Sequence, residues 1–178
     1  LKTYLLERGQ NINIEENEQY VLELELTDID TGEVLHVSAY SDTADVIVVA
    51  NAFEGLHDST LTISTTTDWY GQSEVTVIVS DGSLADTAHF MVTVGPVNDP
   101  PSIVSIEDQS IDEDSVGVFS FEVSDIDTGT VLTLAAYTDT SSVSVSTNSE
   151  NYTVTAVPDG DWHGQTVITV IIYDQQLT

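Results

Sequence analysis

The segment VNDPPSIVSIEDQSIDEDSVGVFSFEVSDIDTG, which spans residues 97–129, decides how this chain is divided. Near its start, Pro100 and Pro101 stand together. Two adjacent prolines fix φ and remove two backbone donors, so no sheet ladder continues through them. Its last residues, SDIDTG, contain Asp125 and Asp127 and follow several other acidic residues. We therefore expect a stiff junction, with carboxylates that repel one another unless a cation lies between them.

The composition limits the partners that the protein can bind. The 178 residues include 31 Asp or Glu but only 2 Lys or Arg, which gives a formal net charge of −29. Nucleic acid and anionic membranes require a basic surface, so we expect neither as a partner. The charge favours divalent cations as partners, or an organism from a salty medium whose proteins carry acidic surfaces. The absence of Cys excludes disulfides and zinc–thiolate sites. No apolar run is long enough for a membrane-spanning helix, so we expect no membrane insertion.

The sequence contains two copies of one pattern. The pentapeptide DIDTG occurs at 28–32 and again at 125–129, an offset of 97 (125 − 28). The offset falls to 93 (162 − 69) at the pair Trp69 and Trp162, which predicts four extra residues in the first copy around 51–59. A period of this length is that of one small sandwich domain. We therefore predict two tandem domains, residues 1–97 and 98–178.

Both copies consist of short predicted strands. VLELELTD at 21–28 alternates apolar and acidic residues, and its counterpart at 118–125, VFSFEVSD, alternates in the same way. β-branched residues dominate the later segments, turn residues separate them, and no segment has a helical period. About seven such strands are typical of an immunoglobulin-like sandwich of two antiparallel sheets, and thus of an all-β fold. The predicted inward residues are Leu22, Leu24, Leu26, Phe119, Phe121 and Val123.

The second copy has no counterpart of the last strand of the first. TAHFMVTV at 87–94 would align with residues that follow Thr178. We therefore expect the domain 98–178 to be truncated at its C-terminal side, with an unpaired edge beside the strand 166–172. The first residues, LKTYLLERGQ, lack the features of a signal peptide, so the chain is interpreted as a fragment of a longer protein.

The order of these motifs resembles the cadherin repeat. In SDGSLADTAHFMVTVGPVNDPP, an Asp-x-Gly turn, a last strand and an Asn-Asp linker follow one another as at the end of such a repeat. SDIDTG resembles the DxD motif of the family, and Glu16 and Glu113 resemble its early-strand Glu. With PDGDWHGQTVITV, the set looks most like the cadherin-like tandem repeats of large bacterial surface proteins and adhesins. The resemblance covers nearly the whole chain. It implies secretion or cell-surface display, calcium between neighbouring repeats of a longer chain, and cell adhesion or a rigid stalk as the role.

The resemblance also implies three groups of calcium ligands. Calcium takes roughly 6–8 oxygen ligands, and the two Asp side chains of a DxD point to the same side of an extended segment. Pro96 and Pro100 stand where cadherin linkers carry Asp and Asn, so we expect one or two ions at the junction and not three. The inter-repeat site would comprise Glu16, Asp68, Asn98, Asp99, Asp125, Asp127 and Asp174. An N-terminal site would comprise Asp28, Asp30 and Asp81, and a C-terminal site Glu113 and Asp161.

Each motif also has a plainer interpretation. SDIDTG is compatible with an ordinary Asp/Gly turn between strands. Trp69 and Trp162 are compatible with sugar binding from an exposed turn, but their recurrence just before a glycine favours residues that cap the core. Ser, His and Asp form no local catalytic pattern, so we expect no enzyme. The leading hypothesis is a calcium-rigidified structural or adhesive segment with homotypic, protein or carbohydrate contacts. The alternative is a carbohydrate- or surface-binding module without enzymatic activity.

Overall fold

The protein is an all-β molecule. The computed structural model describes residues 2–4, 11–27, 34–51 and 59–175. The chain forms two compact units, Leu1–Val97 (unit 1) and Asn98–Thr178 (unit 2). Both are β-sandwiches, which confirms the predicted fold class. In the described ranges, no helix is long and apolar enough to cross a membrane.

Unit 1 contains nine strands among its described residues. They form a four-stranded sheet in the order β2-β9-β8-β5, a three-stranded sheet in the order β3-β7-β6, and the pair β1-β4. All neighbours are antiparallel except β2 and β9, which run parallel. The strands are β1 (Lys2–Tyr4), β2 (Ile12–Glu15), β3 (Gln19–Glu23), β4 (Glu25–Thr27), β5 (His36–Ser41), β6 (Val46–Asn51), β7 (Thr60–Thr65), β8 (Gly71–Ser80) and β9 (Ala85–Gly95).

The core of unit 1 lies between its two main sheets. Val75, Val77 and Val79 of β8 and Leu61 and Ile63 of β7 are all at most 1% exposed. Alternate residues of a strand point to the same face, so each set forms one continuous apolar stripe. Burial of one such side chain contributes about 1.5–3 kcal/mol to the stability of the unit.

The prediction of a single strand at 21–28 is wrong, because this segment contains parts of two strands. Its first part belongs to β3, which pairs with β7, and its later part to β4, which pairs with β1. At the break, the Leu24 N–H donates to the Ser59 carbonyl oxygen over 2.9 Å, so the chain crosses between sheets there. Leu22, Leu24 and Leu26 are all buried, so the predicted inward face is nonetheless correct.

Unit 2 repeats this organisation with seven strands in its described part. The sheet β11-β15-β14 corresponds to β3-β7-β6, and the pair β13-β16 corresponds to β5-β8. The segment 118–125 also divides at its middle, where the Phe121 N–H donates to the Tyr152 carbonyl oxygen over 3.0 Å. The strands are β10 (Ser102–Ile103), β11 (Gly117–Ser120), β12 (Val123–Ser124), β13 (Val131–Thr138), β14 (Val143–Asn148), β15 (Thr153–Pro158) and β16 (Ile168–Gln175).

Two strands of unit 1 have no counterpart in the described part of unit 2. β8 pairs with both β5 and β9, whereas β16 pairs with β13 alone. The segment 104–116 forms no strand, although the corresponding part of unit 1 contains β2. Among the described residues β2 pairs only with β9, so a strand in the place of β2 would have no neighbour in the described part of unit 2. The edge predicted at 166–172 runs along β16, which has no partner on that side within the described ranges. The four extra residues predicted around 51–59 concern a loop whose residues 52–58 lie outside the described ranges.

Candidate metal site

The structure brings five of the predicted ligands together within unit 2. Asn98 and Asp99 are its first residues, and the pairing of β10 with β12 places the start of the unit beside the DxD that follows β12. Asp125 and Asp127 are the two carboxylates of that motif. Asp174 comes from the other side, near the end of β16. We call these five residues the unit 2 cluster.

Hydrogen bonds join the unit 2 cluster in two groups, which the peptide bond between Asn98 and Asp99 connects. The Asn98 side-chain amide donates to the Asp174 carboxylate. The Asp99 backbone N–H donates to Asp127 Oδ2 over 2.8 Å, and the Asp127 backbone N–H donates to Asp125 Oδ1 over 2.9 Å. SDIDTG is therefore a turn, as in the plainer interpretation. Its second Asp, Asp127, also accepts a hydrogen bond from the backbone of the linker residue Asp99.

The unit 2 cluster is rich in negative charge. The only Lys and Arg of the sequence are Lys2 and Arg8, in unit 1 and outside the described side chains. Asp125 Oδ2 is buried, and no described residue donates a hydrogen bond to it. A buried carboxylate oxygen without a partner costs free energy that a bound cation recovers. Carboxylate and amide oxygens are the ligands that Ca²⁺ prefers, so the residues present fit this ion.

In unit 1, Glu16 and Asp68 lie close together. A carboxylate oxygen of Glu16 lies within 4.8 Å of one of Asp68. Glu16 is buried, with an exposed fraction of 3%. The end of β9 holds it: the Glu16 N–H donates to the Gly95 carbonyl oxygen over 2.9 Å, and Glu16 Oε1 accepts a hydrogen bond from the Val97 N–H. Two carboxylates at this separation repel each other, which again favours a cation.

Asn17 positions Asp68, a role that the sequence analysis missed. The Asn17 side chain donates to Asp68 Oδ1 over 3.0 Å, and Asn17 Oδ1 accepts the Asp68 N–H over 3.1 Å. In unit 2, Asp114 Oδ1 accepts the Asp161 N–H over 2.9 Å. All four residues have φ between 56° and 63°, a region that Asn and Asp tolerate better than most residues. The only signal in the sequence was the recurrence of Asn17 and Asp114 at the offset of the repeat.

The predicted N-terminal site remains a prediction, because Asp81 is the only one of its three residues that lies in the described ranges. Asp28 and Asp30 lie outside the described residues. Asp81 Oδ1 already accepts the backbone N–H groups of Ser83 and Leu84, each over 2.7 Å. These hydrogen bonds, that of Leu84 first, lower the pKa of the Asp81 carboxyl group. One oxygen of Asp81 thus shapes a turn.

The two residues predicted for the C-terminal site are both exposed. Glu113 occupies the position of Glu16 but is solvent-exposed, because the described part of unit 2 has no strand in the place of β9 to cover it. Asp161, which corresponds to Asp68, is also exposed and is held by Asp114 as described above. The role of this pair as calcium ligands remains a prediction.

Asp42 and Asp139 recur at equivalent positions, and they hold strands together. In both cases one carboxylate oxygen accepts a hydroxyl group and the next backbone N–H, at 2.6–3.1 Å. The hydroxyl of Thr166, and then the N–H of Val167, lower the pKa of the Asp139 carboxyl group. The sequence showed the recurrence but not this role. The donors are Ser73 and Glu74 in unit 1, and Thr166 and Val167 in unit 2.

The repeated tryptophans are half-buried and each lies over a glycine. Trp69 packs against the core of unit 1. A Cβ at Gly71 would lie 3.1 Å from the Trp69 ring, and a Cβ at Gly164 would lie 3.0 Å from the Trp162 ring. A side chain at either glycine would therefore displace the ring. These contacts support the interpretation of Trp69 as a core residue more than as a sugar-binding platform.

Comparison with known proteins finds similarity in structure only. No protein-family model and no curated protein matches the sequence. Human protocadherin-24 EC1-2 (form II) is similar with a TM-score of 0.50 and 15% identity, over 92% of this chain and 91% of that chain. The titin domains Z1Z2 in complex with telethonin give a TM-score of 0.40 and 12% identity, over 97% and 93% of the two chains.

An endo-fucoidan hydrolase from glycoside hydrolase family 107 is also similar, with a TM-score of 0.40 and 15% identity over 94% of this chain. This chain spans only 28% of the length of that enzyme. At these identities the similarity concerns the fold alone. The protocadherin structure thus supports a cadherin-like tandem of β-sandwiches, and the titin and hydrolase similarities carry no functional argument.

Proposed function

We propose that this protein is a calcium-binding segment of a secreted or cell-surface protein, and that calcium stiffens the junction between its two β-sandwiches. The observation that carries the proposal is the buried Asp125 Oδ2, which has no hydrogen-bond partner among the described residues and belongs to a cluster with four further oxygen-bearing side chains. The cadherin-like fold and the net charge of −29 support it. A segment of this kind serves adhesion directly or projects an adhesive domain from a cell.

Calcium suits these ligands better than other common metals do. The unit 2 cluster offers carboxylates and one side-chain amide but no His, and the sequence has no Cys, so the soft and nitrogen ligands preferred by zinc and copper are missing. Magnesium requires a nearly ideal octahedron and keeps several waters, whereas calcium accepts irregular sets of roughly 6–8 oxygens. Asp125, Asp127 and Asp174 would provide the main negative charge.

The proposed stiffening depends on the linker. The Val97 N–H donates a hydrogen bond to the Glu16 carboxylate in unit 1, and the side-chain amide of the next residue, Asn98, donates one to the Asp174 carboxylate in unit 2. We propose that bound calcium is shared across the peptide bond between Val97 and Asn98. Its ligands would be Glu16 and Asp68 in unit 1 and the unit 2 cluster. Domains joined by a short linker move relative to each other by default, and such shared ligation would restrict that motion.

Calorimetric titration of the metal-stripped protein tests this function. At physiological ionic strength we expect saturable binding of one or two calcium ions, with magnesium much weaker. Heat that fails to saturate, or equal affinities for the two ions, would contradict a calcium site and leave the acidic residues as a solvated surface.

A carbohydrate- or surface-binding module is the second candidate. Tyr40 and Tyr137 occupy equivalent positions and are 56% and 55% exposed. Each is paired across its sheet with a threonine, Thr76 or Thr169. Only one exposed ring per unit recurs at an equivalent position among the described residues, which is a small shared stacking surface, so this function ranks second. Glycan binding that is lost in Tyr40→Ala and Tyr137→Ala, but is independent of calcium, would favour it.

A further inference from the structure

Strand β6 lies at the edge of a sheet in unit 1. Within the described residues, the sheet β3-β7-β6 hydrogen-bonds it to β7 alone. Edge strands pair readily with other chains unless a charge, a proline or a bulge protects them. Val46–Asn51, with the sequence VIVVAN, contains no charged residue and no proline, and its register with β7 is regular throughout. β6 therefore has none of these three protections.

The outward side chains of β6 are apolar, which distinguishes it from its counterpart β14 in unit 2. Ile47 and Val49 alternate with residues that pack against the core, and they are 46% and 49% exposed. At the offset of the repeat, Ser144 and Ser146 occupy the same positions in β14. Ile and Val gain free energy when a further strand covers them, whereas Ser gains much less. The two units thus share the position of this strand but not its apolar outward face.

The free backbone groups of β6 belong to alternate residues. The Thr66 N–H donates to the Asp45 carbonyl oxygen over 2.8 Å, at the position that continues the register of β6 with β7. In an antiparallel ladder, residues that bond to one neighbour alternate with residues whose N–H and C=O point to the other side. The odd-numbered residues of β6 therefore bond to β7. The even-numbered residues direct their N–H and C=O groups to the open edge, and these are Val46, Val48 and Ala50.

We propose that β6 pairs antiparallel with β6 of a second copy of this chain, about a two-fold axis at Val48. In such a contact a strand meets itself, so its surface is self-complementary. Val48 lies opposite Val48 of the second copy, and Val46 lies opposite Ala50, so that all the edge-directed backbone groups of β6 find partners. Ile47 lies opposite Val49, and the exposed apolar side chains of both copies form one strip on the outward face.

The charges favour a second copy as the occupant. Two chains of net charge −29 repel each other, so they pair most easily through a surface on which neither carries a charge. β6 is such a surface, and the register places Asp45 of each copy opposite Asn51 of the other and not opposite a carboxylate. A basic partner would find no carboxylate on β6. The contact includes no predicted calcium ligand, so this proposal does not rest on the proposed function.

Disulfide cross-linking tests the register, because the chain has no Cys of its own. Ile47 and the opposite Val49 would form a non-hydrogen-bonded pair with Cα atoms about 4.5 Å apart, within the range of a disulfide. Two Ile47 residues would be roughly 8 Å apart, which is too far. A mixture of full-length Ile47→Cys and Val49→Cys chains, oxidised in EGTA and concentrated sodium chloride, should therefore give mixed dimers in large excess. Mixed and matched dimers in the ratio of random collision, or mainly matched dimers, would overturn the proposal.

Sedimentation and hydrogen exchange measure the pairing in the unmodified chain. As its concentration rises in EGTA, the sedimentation coefficient should rise towards that of a dimer. Exchange of the Val46, Val48 and Ala50 amides should slow by at least about tenfold, whereas the Ile47 and Val49 amides, already bonded to β7, should change less. Sodium chloride should strengthen the association because it screens the repulsion between the two chains. A monomer at every concentration, or protection confined to other strands, would overturn the proposal.

Two variants separate the edge from the face of the sheet. Ile47→Ser with Val49→Ser gives β6 the outward residues of β14 and should weaken dimerisation by at least about tenfold. Both residues are exposed, so we expect the fold to be kept. Val21→Ser is the matched control, because Val21 is 54% exposed on the outward face of the same sheet but lies on β3, at the other end of the strand order. It should dimerise like the parent chain, and an equal loss in the two variants would overturn the proposal.

Discussion

The two carboxylate oxygens of Asp125 have different surroundings. Oδ1 accepts the Asp127 N–H, whereas Oδ2 is buried and receives no hydrogen bond from the part of the chain that the structure describes. An amide in this place needs no cation, so Asp125→Asn with Asp127→Asn should abolish binding at the unit 2 cluster. Both residues lie outside the core, and the free energy of unfolding in EGTA should change by less than about 1 kcal/mol or rise. Calorimetric titration and denaturant unfolding measure the two effects.

Glu107→Gln with Asp108→Asn is the matched control, because it removes the same charge from two exposed residues outside the cluster. This control should keep the number of bound ions. If the cluster variant also keeps its stoichiometry and affinity, the DxD is a turn and nothing more.

The lowered pKa of Asp139 predicts a pH dependence. Because the folded form favours the ionised carboxylate, the contribution of this group to stability is present above the ordinary pKa of Asp, near 4, and is lost as pH falls through the lower folded pKa. Asp139→Asn should therefore flatten the loss of stability in acid, and Asp108→Asn should not. Urea unfolding at a series of acidic pH values measures the slope, and equal slopes for the two variants would contradict the assignment.

At the scale of elements, the contact between tryptophan and glycine at the start of β8 is the most sensitive to substitution. Gly71→Ala would place a Cβ 3.1 Å from the Trp69 ring, at φ 151°, where side chains are rare. We expect a loss of about 1–3 kcal/mol in the free energy of unfolding. Gly95→Ala is the control, because its Cβ would lie 3.9 Å from the Ile14 carbonyl oxygen. Equal unfolding midpoints for Gly71→Ala and Gly95→Ala would show that the Trp69 ring moves without a loss of stability.

Sequence patterns predicted the elements better than their pairing. Alternation correctly placed the three leucines of 21–28 inside, but it could not show the change of sheet at Leu24, since a strand alternates in the same way whichever sheet it joins. The break depends on a hydrogen bond to Ser59, which is distant in sequence. Local pattern contains no information about such a contact.

The candidate metal site, too, could be predicted from the sequence only in part. Residue type and recurrence led to the five residues of the unit 2 cluster, because acidic pairs in turns are visible in a sequence. The roles of Asn17 and Asp114 were missed, since each side chain accepts a hydrogen bond from a residue that has a positive φ and is distant in sequence. Glu16 and Glu113 have identical chemistry but different burial, which a neighbouring strand decides and local sequence does not.

For the whole molecule, calcium should raise stability. A ligand that binds only the folded state adds RT ln(1 + [L]/Kd), about 2.7 kcal/mol at a hundredfold excess over Kd. Thermal melts with calcium and with EGTA, at equal ionic strength, measure this shift. Concentrated sodium chloride is the control, because screening alone relieves part of the repulsion in a chain of net charge −29. Equal midpoints in calcium and EGTA would contradict the proposed function.

The proposed stiffening has its own measurement. Spin labels, one in each unit at exposed strand positions such as Val49 and Ser146, report the spread of distances between the units. If ligands on both sides of the linker share calcium, the ion should narrow that spread. The Asp125→Asn, Asp127→Asn variant should show the EGTA distribution in both conditions. A distribution that calcium leaves unchanged would separate ion binding from stiffening.

The parallel pairing of β2 with β9 also has a consequence for biosynthesis. Ile12 can find Val92 only after almost the whole of unit 1 has been made, and contacts between such distant residues form slowly. Until then a nascent unit 1 would resemble the described part of unit 2, with the β8 edge open and β2 unpaired. Open edges recruit other strands, so unit 1 is most prone to aggregate during the period in which β9 is still missing. β9 is thus the strand whose synthesis allows the sheet β2-β9-β8-β5 of unit 1 to be completed.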